Sequence, residues 1–227
     1  MPVVTLSSPK GGCGKSTTAL ILATTLAELG ASVTLLDCDG NQPLVRWKAG
    51  ATRSRVKVLS AVSEREILPV IDRERASTGL VVIDVEGAAT RLASRAVMRA
   101  DLVLVPVSPS ALDANEAARA IELVQEEETA LGRRIPVQVS FNRTAVAMQS
   151  RAEVGIANEL EAAGIPTLKT HLNMRAAFAA MFAYRLTLQE LDPAKVNGVD
   201  KAIDNAMRFA SEVAELLREQ QQQGRAA

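Results

Sequence analysis

The sequence is poor in aromatic residues, which limits how it could bind nucleic acid. Its 227 residues include one Trp, one Tyr and four Phe, or 3% of the chain. Proteins that hold single strands by stacking bases on aromatic rings need more of them. If this protein binds nucleic acid, we therefore expect contacts with backbone phosphates rather than recognition of the bases.

Excess charge, metal-binding cysteines and long apolar runs are also missing. The 26 basic and 26 acidic side chains cancel, so no overall field draws the chain to nucleic acid or to an anionic membrane. Cys13 and Cys38 lack metal-ligand spacing, and both are expected to be reduced residues of a cytoplasmic protein. The sequence has no signal-peptide pattern and no apolar run of about 18 residues, so no membrane segment is predicted.

The chain does contain short, β-branched apolar runs that alternate with longer segments rich in Ala and Leu. Most of these runs are apolar throughout, as in a parallel sheet with both faces covered. The alternation predicts an α/β fold with a doubly wound, mostly parallel sheet and helices on both faces. Strands are predicted at residues 3–7, 32–38, 56–59, 80–85, 102–107 and 135–141, and helices at residues 16–29, 63–75, 90–99, 114–131, 151–163 and 199–218.

One domain is predicted, because no internal repeat or linker interrupts the pattern. It covers residues 1–220, and the polar tail of residues 221–227 is expected to be disordered. The last predicted helix carries an apolar face made of Val199, Ile203, Ala206, Ala210, Val213 and Leu217.

A glycine-rich loop follows the first predicted strand and leads directly into a helix. It reads K-G-G-C-G-K-S-T, residues 10–17, and is called the glycine loop below. Glycines let backbone N–H groups converge on an anion, and the helix N-terminus adds its dipole. Lys15 is expected to reach the β and γ phosphates of a nucleotide, and the Ser16 hydroxyl to bind Mg²⁺. The pattern predicts a P-loop, although Pro9 stands where the usual motif has glycine.

Aspartates follow two of the other predicted strands. Asp39 lies just past the second strand, at the edge where a doubly wound sheet binds ligands. There it could orient a water for attack on the γ-phosphate or hold Mg²⁺ through a water, with a turn or cap as the alternative. Asp84 ends the strand expected beside the glycine loop and suits the Mg²⁺ shell. For Asp37, helix capping and Mg²⁺ support are equally good hypotheses.

These motifs together resemble the ParA/MinD superfamily of P-loop ATPases, which carry a deviant Walker A motif. The resemblance rests on the glycine loop, on D-C-D at 37–39, on L-V-V-I-D at 80–84 and on F-N-R at 141–143. It implies an ATPase of weak intrinsic turnover that uses ATP and Mg²⁺ and forms a nucleotide-sandwich dimer. In such a dimer Lys10 would reach the phosphates of the partner subunit, as a cation supplied in trans.

The resemblance also assigns roles to residues. It implies that catalysis uses Lys10, Lys15 and Asp39. It places Mg²⁺ on Ser16, Asp39 and Asp84. It implies nucleotide contacts from Lys10, Gly11, Gly12, Cys13, Gly14, Lys15, Ser16, Thr17 and Asn142, with Asn142 at the base.

The greatest similarity is to the short, plasmid-type partition ATPases, because the glycine loop starts by residue 10 and no N-terminal helix-turn-helix domain is expected. This implies non-specific binding of double-stranded DNA by the ATP dimer and a centromere-binding, ParB-like activator. It further implies a bacterial, cytoplasmic protein that associates with the nucleoid in its ATP form. No membrane binding is expected, since the chain ends in Q-Q-Q-Q-G-R-A-A without a basic amphipathic helix.

Two alternative functions stay open. The stretch D-G-N-Q-P-L-V-R-W at 39–47 also resembles ParA relatives that serve conjugative or T-DNA transfer. The third hypothesis is a nucleotide-dependent scaffold that positions a protein cargo and hydrolyses ATP hardly at all.

The remaining signals are weaker. His171, the only histidine, is expected to be structural, and Trp47 is expected to be a packing anchor. Arg91, Arg95 and Arg99 recur every four residues on one helix face, which is typical of a solvated face, with DNA contact as the alternative. The family places DNA-phosphate contacts in the C-terminal third, which here contains Arg175, Arg185, Lys195, Lys201 and Arg208.

Overall fold

The described part of the chain forms one parallel sheet with helices on both faces. A computed structural model describes residues 1–8, 12–60, 63–87, 90–109, 111–146 and 150–226. Its strands are β1 Val3–Leu6, β2 Val33–Cys38, β3 Lys57–Ser60, β4 Leu80–Val85, β5 Leu102–Val107, β6 Val137–Thr144 and β7 Leu172–Asn173. In space they follow the order β3-β2-β4-β1-β5-β6-β7, and all neighbours are parallel. The predicted α/β fold is confirmed.

Helices connect these strands along the chain. They are α1 Lys15–Glu28, α2 Pro43–Lys48, α3 Ile67–Ser77, α4 Arg91–Met98, α5 Ala111–Leu131, α6 Arg151–Ala162, α7 Ala176–Tyr184 and α8 Val199–Ala226, with a 3-10 turn at Leu188–Glu190. No helix of the described residues is both long and apolar enough to cross a membrane.

Successive residues of the central strands point to opposite layers. In β1, Val4 and Leu6 belong to the core formed with α1 and α8, whereas Val3 belongs to the core formed with α3 and α4. A third apolar cluster joins β5 and β6 to α5 and α6. Both faces of the sheet are therefore covered, which is why the central strands β4 and β5 are apolar at nearly every position.

The sequence predicted the longer elements and missed the short ones. Every predicted strand and helix is present; β4 and β5 have the predicted ends, and the other elements have shifted ends. Short α2 and β7 were not predicted, and α7 is not among the helices predicted above. Because α7 is apolar on nearly all sides and buries Ala177, Phe178, Ala180 and Met181, it shows no helical period.

The predicted end of the last helix is wrong. The structure continues α8 past Arg218 to Ala226, so residues 221–226, which were expected to be disordered, are helical. Gln side chains favour helix once the preceding turns are formed, and α8 is anchored on α1 by residues such as Phe209 and Val213.

The chain connections lead to opposite sides of β1 in the sheet, and this point determines where the candidate site lies. From β1 the chain proceeds to β2 on one side, and it later reaches β5 on the other side. Such a switch point leaves a crevice at the carboxyl ends of the strands. Leu6 and Asp37 both pair with Asp84 in the sheet register. The glycine loop, which follows β1, therefore lies beside the ends of β2 and β4.

Candidate functional site

The described part of the glycine loop turns tightly into α1. Gly12 and Gly14 have φ angles of 89° and 98°, values that favour glycine. At Gly14, a Cβ would also lie 2.9 Å from Asn142 Nδ2, so a larger residue is excluded on two grounds. Gly14 is the N-cap of α1, and no side chain among the described residues caps this helix end. The first residues of α1 line the cleft, and a helix N-terminus is suited to bind an anion.

Lys15 begins α1 and is buried. Its ammonium donates a hydrogen bond to the Ser8 carbonyl oxygen at 3.2 Å, so the side chain lies along the loop. Lys10 and Gly11, which were expected to contact nucleotide, lie outside the described residues. The proposed role of Lys10 across a subunit interface therefore remains a prediction.

Asn142 lies near the end of β6 and holds the glycine loop and the start of α1 by hydrogen bonds. Its amide nitrogen donates to the Cys13 carbonyl oxygen at 3.2 Å and to the Thr18 hydroxyl at 2.8 Å. Both N–H groups of this buried amide are used in these bonds. The structure thus gives Asn142 a positioning contact that the motif did not indicate, and its contact with a base remains a prediction.

Asp84 is the most unusual group of the site. Its side chain is only 1% exposed, and neither carboxylate oxygen has a hydrogen-bond partner among the described residues. Burial raises the pKa of Asp84 to about 7, with the Ser16 hydroxyl and Lys15 acting in the opposite direction. A buried carboxylate without a well-formed hydrogen bond is costly unless a cation compensates it. Carboxylate oxygens are ligands that suit a divalent cation such as Mg²⁺.

The described residues do not bring three carboxylate, histidine or cysteine ligands together. Mg²⁺ in proteins usually keeps several waters and binds one or two carboxylates together with substrate phosphates. Ser16, which is partly exposed at the first turn of α1, provides a hydroxyl on the same side of the cleft.

Asp37 is a helix cap. Its Oδ2 accepts hydrogen bonds from the N–H groups of Leu44 at 2.8 Å and Val45 at 3.0 Å, which begin α2. Its Oδ1 accepts from the Asp39 N–H at 3.3 Å. Burial raises the pKa of Asp37, and these backbone donors partly offset the effect. Of the two hypotheses for this residue, capping is confirmed.

Asp39 follows β2 and is partly exposed at the cleft. Its Oδ1 accepts from the Asn41 N–H at 2.7 Å, which forms a local turn. The turn fixes the orientation of the carboxylate, and Oδ2 makes no hydrogen bond with a described residue. Asp39 is therefore both a turn residue and a carboxylate presented to the cleft.

Two cavities meet at the glycine loop. The larger is a cleft of about 650 Å³, and the smaller, of about 160 Å³, lies between the loop and the start of α7. Gly12, Gly14, Lys15, Ser16, Thr17, Asp39, Asn41, Glu86, Gly87, Thr90 and Arg143 line the cleft. Gly14, Thr17, Thr18, Ile21, Asn142, Arg143, Leu172, Asn173, Met174, Arg175, Phe178 and Ala179 line the smaller cavity.

Sequence reasoning missed Glu86 at this site. Its Oε2 accepts from the Gly40 N–H at 3.1 Å and so connects the end of β4 to the turn that carries Asp39. The available signal was its position two residues after Asp84, but an exposed glutamate in a loop is ordinary on any surface.

Two of the weaker hypotheses are confirmed. Trp47 is buried, and its indole N–H donates to the Leu186 carbonyl oxygen at 3.1 Å. His171 Nδ1 lies 2.8 Å from Glu153 Oε1, and its ring centroid lies 5.0 Å from that of Phe141. Both residues have structural contacts and neither lines the cleft.

The arginine series on α4 is mostly used within the molecule. Arg99 forms two hydrogen bonds with the carboxylate of Asp72, at 3.0 and 3.3 Å, and Arg95 donates to the Glu64 carbonyl oxygen. These contacts lie at the exposed surface, so the face is solvated as expected, and the two arginines also connect α4 to α3 and to the turn before it. Only Arg91 remains exposed in this series.

The sheet order and the loop after its central strand define a P-loop ATPase fold of the MinD/ParA type. The septum site-determining protein MinD from Pyrococcus horikoshii, complexed with Mg-ADP, superimposes with a TM-score of 0.73 at 17% identity, covering 96% of this chain and 98% of that one. The family model of the VirC1 protein matches residues 1–221, and the chain belongs to this family. The resemblance to the ParA/MinD superfamily is confirmed.

Similar sequences extend over most of the chain. Protein ParA of Rhizobium radiobacter is 40% identical over 220 residues, which are 96% of this chain and 99% of that protein. Protein virC1 of Rhizobium rhizogenes is 31% identical over 191 residues, 80% of each chain. The family is one of ATPases, so nucleotide hydrolysis is the general chemistry to which the site belongs.

Proposed function

We propose that this chain is an ATP-dependent partitioning ATPase of the ParA kind. In this proposal it forms a nucleotide-sandwich dimer on Mg-ATP, binds DNA without sequence specificity and is reset by hydrolysis that a partner protein stimulates. The observation that carries the proposal is Asp84, a buried carboxylate beside the glycine loop without a hydrogen bond to the described residues. The 40% identity to a ParA protein over nearly the whole chain supports it.

The glycine loop would bind the triphosphate. N–H groups at the start of α1 and the Lys15 ammonium are the donors for its oxygens. Gly12, Ser16 and Thr17 line the same cleft. The nucleoside would occupy the smaller cavity, where Asn142 forms part of the wall.

Mg²⁺ would be held by the Ser16 hydroxyl, by Asp84 and, through a water, by Asp39. When bound, the ion neutralises phosphate charge and so favours both binding and transfer of the γ-phosphoryl group. The burial that raises the pKa of Asp84 supports this assignment, because a carboxylate that is kept from water and receives no backbone N–H group from the described residues gains most from a cation.

Asp39 would orient the attacking water. Its carboxylate is held by Asn41 through Oδ1, and Oδ2 is left for a water molecule at the cleft. Lys15 would stabilise negative charge that develops on the transferred group, and Lys10 of a second subunit would add to it.

Dimerisation, DNA binding and the ParB-like activator rest on the similarity to partition ATPases. The cleft is open at its rim, where Glu86 and Arg143 are exposed, so a second copy has access to it. Net charge is zero. Binding of DNA, and hence association with the nucleoid, would then depend on basic residues that the dimer combines into one surface.

A role in conjugative or T-DNA transfer is the second candidate. Residues 39–47, which carry that resemblance, form the Asp39 turn at the cleft and most of α2. The ATP chemistry is therefore the same for both candidates. They differ in the stimulating protein: a centromere-binding protein indicates partition, and a component of a DNA-transfer complex indicates the second role.

Substitution of Asp39 tests the enzymatic part. Asp39→Ala should bind Mg-ATP normally and hydrolyse it about 10²–10⁴-fold more slowly, because the carboxylate acts mainly in the transition state. The variant should accumulate as an ATP-bound dimer. Single-turnover hydrolysis and sedimentation velocity measure both properties. Turnover at the wild-type rate would remove Asp39 from the mechanism.

DNA titrations test the coupling to ATP. Random-sequence duplexes should bind only in the ATP state, and log K should fall with log salt at a slope of about −0.9 per phosphate neutralised. Titrations with ATP, with ADP and without nucleotide, each at several salt concentrations, measure this. Equal affinity in all three states would contradict the coupling. Absence of binding in every state, with hardly any hydrolysis, would favour the cargo scaffold.

A further inference from the structure

Arg143 has an unusual backbone at the end of β6. Its φ angle is 57°, in the left-handed region that side chains with a Cβ rarely adopt. The register between β6 and β7 shifts at this position, between Asn142 and Thr144. A bulge of this kind removes a residue from the ladder and changes the direction of its side chain. Such conformations persist next to functional sites when the surrounding structure holds them.

The bulge directs Arg143 to the junction of the two cavities. Three residues line both the cleft and the smaller cavity: Gly14, Thr17 and Arg143. Arg143 is the only charged residue among them. Its side chain is exposed, and its guanidinium makes no hydrogen bond or ion pair with a described residue. Arg175 in the smaller cavity donates to Asn173 Oδ1 at 3.4 Å, and its buried Nε makes no hydrogen bond with a described residue.

We propose that Arg143 is a nucleotide-binding residue whose guanidinium binds the α-phosphate. This inference rests on the proposed function, in which the triphosphate lies along the glycine loop and the nucleoside fills the smaller cavity. The phosphate attached to the sugar must then lie where the two cavities meet. A guanidinium at that point can form paired hydrogen bonds with phosphate oxygens.

Exchange for asparagine separates charge from backbone conformation. Asn tolerates the left-handed conformation better than other residues with a Cβ, so Arg143→Asn removes the guanidinium and keeps the bulge. Arg185 offers a matched control, because it is also exposed and has a φ angle of 55°. It ends α7 next to Gly50 and lines neither cavity.

Isothermal titration with Mg-ADP and with a non-hydrolysable Mg-ATP analogue is the test. Arg143→Asn should weaken binding of both nucleotides by a similar factor, about 10- to 100-fold, since both carry an α-phosphate. Arg185→Asn should bind both like the wild type. Circular dichroism verifies folding, and Arg143→Gly, which is free of the left-handed strain, replaces the Asn variant if that variant does not fold.

The outcomes distinguish this inference from the function on which it rests. A wild-type protein that binds neither nucleotide would overturn the proposed function itself. If the wild type binds both and Arg143→Asn binds them equally well, the α-phosphate contact is wrong and the proposed function stands. A loss confined to the triphosphate would also overturn the assignment, because it would place the guanidinium at the γ-phosphate.

Discussion

Asp37 and Asp84 are paired in register on neighbouring strands, yet their surroundings give them different roles. Asp37 receives backbone N–H groups from the start of α2, whereas Asp84 receives none from the described residues. Burial raises the pKa of both carboxyls. The carboxylate that lacks donors is the one suited to bind a cation, so the environment rather than the residue type assigns the function.

At this scale, the stability of the nucleotide-free protein should depend on Asp84. Its folded-state pKa lies above the unfolded value of 3.8, so the protonated carboxyl favours the folded state. This contribution to the free energy of unfolding is fully present below about pH 4 and is lost as the pH rises through 7. Urea unfolding between pH 4 and 8 measures the free energy of unfolding of the wild type and of Asp84→Asn. As the pH rises over this range, the wild type should lose on the order of 4 kcal/mol of stability relative to the variant. Asp204→Asn, which changes an exposed carboxyl on α8, is the control. A pH-independent difference would contradict the raised pKa.

The element that depends most clearly on one side chain is the 3-10 turn after α7. Glu190 accepts hydrogen bonds from the Thr187 N–H at 2.8 Å, the Thr52 hydroxyl at 2.7 Å and the Arg53 N–H at 2.6 Å. It therefore closes a capping box and connects the turn to the segment between α2 and β3. Burial alone would raise the pKa of Glu190, but these donors outweigh it and the pKa is lowered.

Glu190→Gln should destabilise the protein by about 1–3 kcal/mol at pH 7, because a charge-assisted acceptor is replaced by a neutral amide. Because the pKa of Glu190 is lower in the folded state, the ionised carboxylate stabilises the fold. This contribution is present above the unfolded-state pKa, near 4.5, and is lost as the pH falls through the folded-state pKa. The gap between wild type and variant should therefore close in acid. Chemical denaturation at pH 7 and at about pH 3 measures it, with the exposed Glu215→Gln as control. A gap of equal size at both values would show that ionisation is not involved.

At the scale of the whole molecule, the proposed function requires two chains. Lys15 lies in its own loop, and the resemblance assigns Lys10 to the phosphates of a partner. Two Mg·ATP groups that face each other across an interface carry like charge, so a crossing cation is needed between them. Lys15→Ala should weaken ATP binding by the monomer, whereas Lys10→Ala should leave it nearly intact and abolish dimerisation and hydrolysis.

A mixing experiment tests directly whether Lys10 acts on the nucleotide of the partner subunit. Lys10→Ala combined with an excess of Asp39→Ala should regain part of the hydrolysis, because one site of the heterodimer has an intact Asp39 and receives an intact Lys10. Phosphate release by the mixture is compared with that of each variant alone. If heterodimers form without any recovery, Lys10 does not act across the interface. If Lys10→Ala alone dimerises and turns over normally, it is a solvated loop residue.

The sequence by itself determined strands β1 to β6, the longer helices and the glycine loop with Lys15 and Ser16, because apolar runs and glycine spacing are local properties of the chain. It also placed Asp39 and Asp84 at the strand ends. Only the tertiary structure decided which carboxylate is a cap and which lacks donors, since that depends on where the start of α2 packs. The same holds for Asn142 behind the loop and for Arg143, whose direction is set by a bulge between two strands. Such contacts join residues far apart in sequence, so no local pattern encodes them.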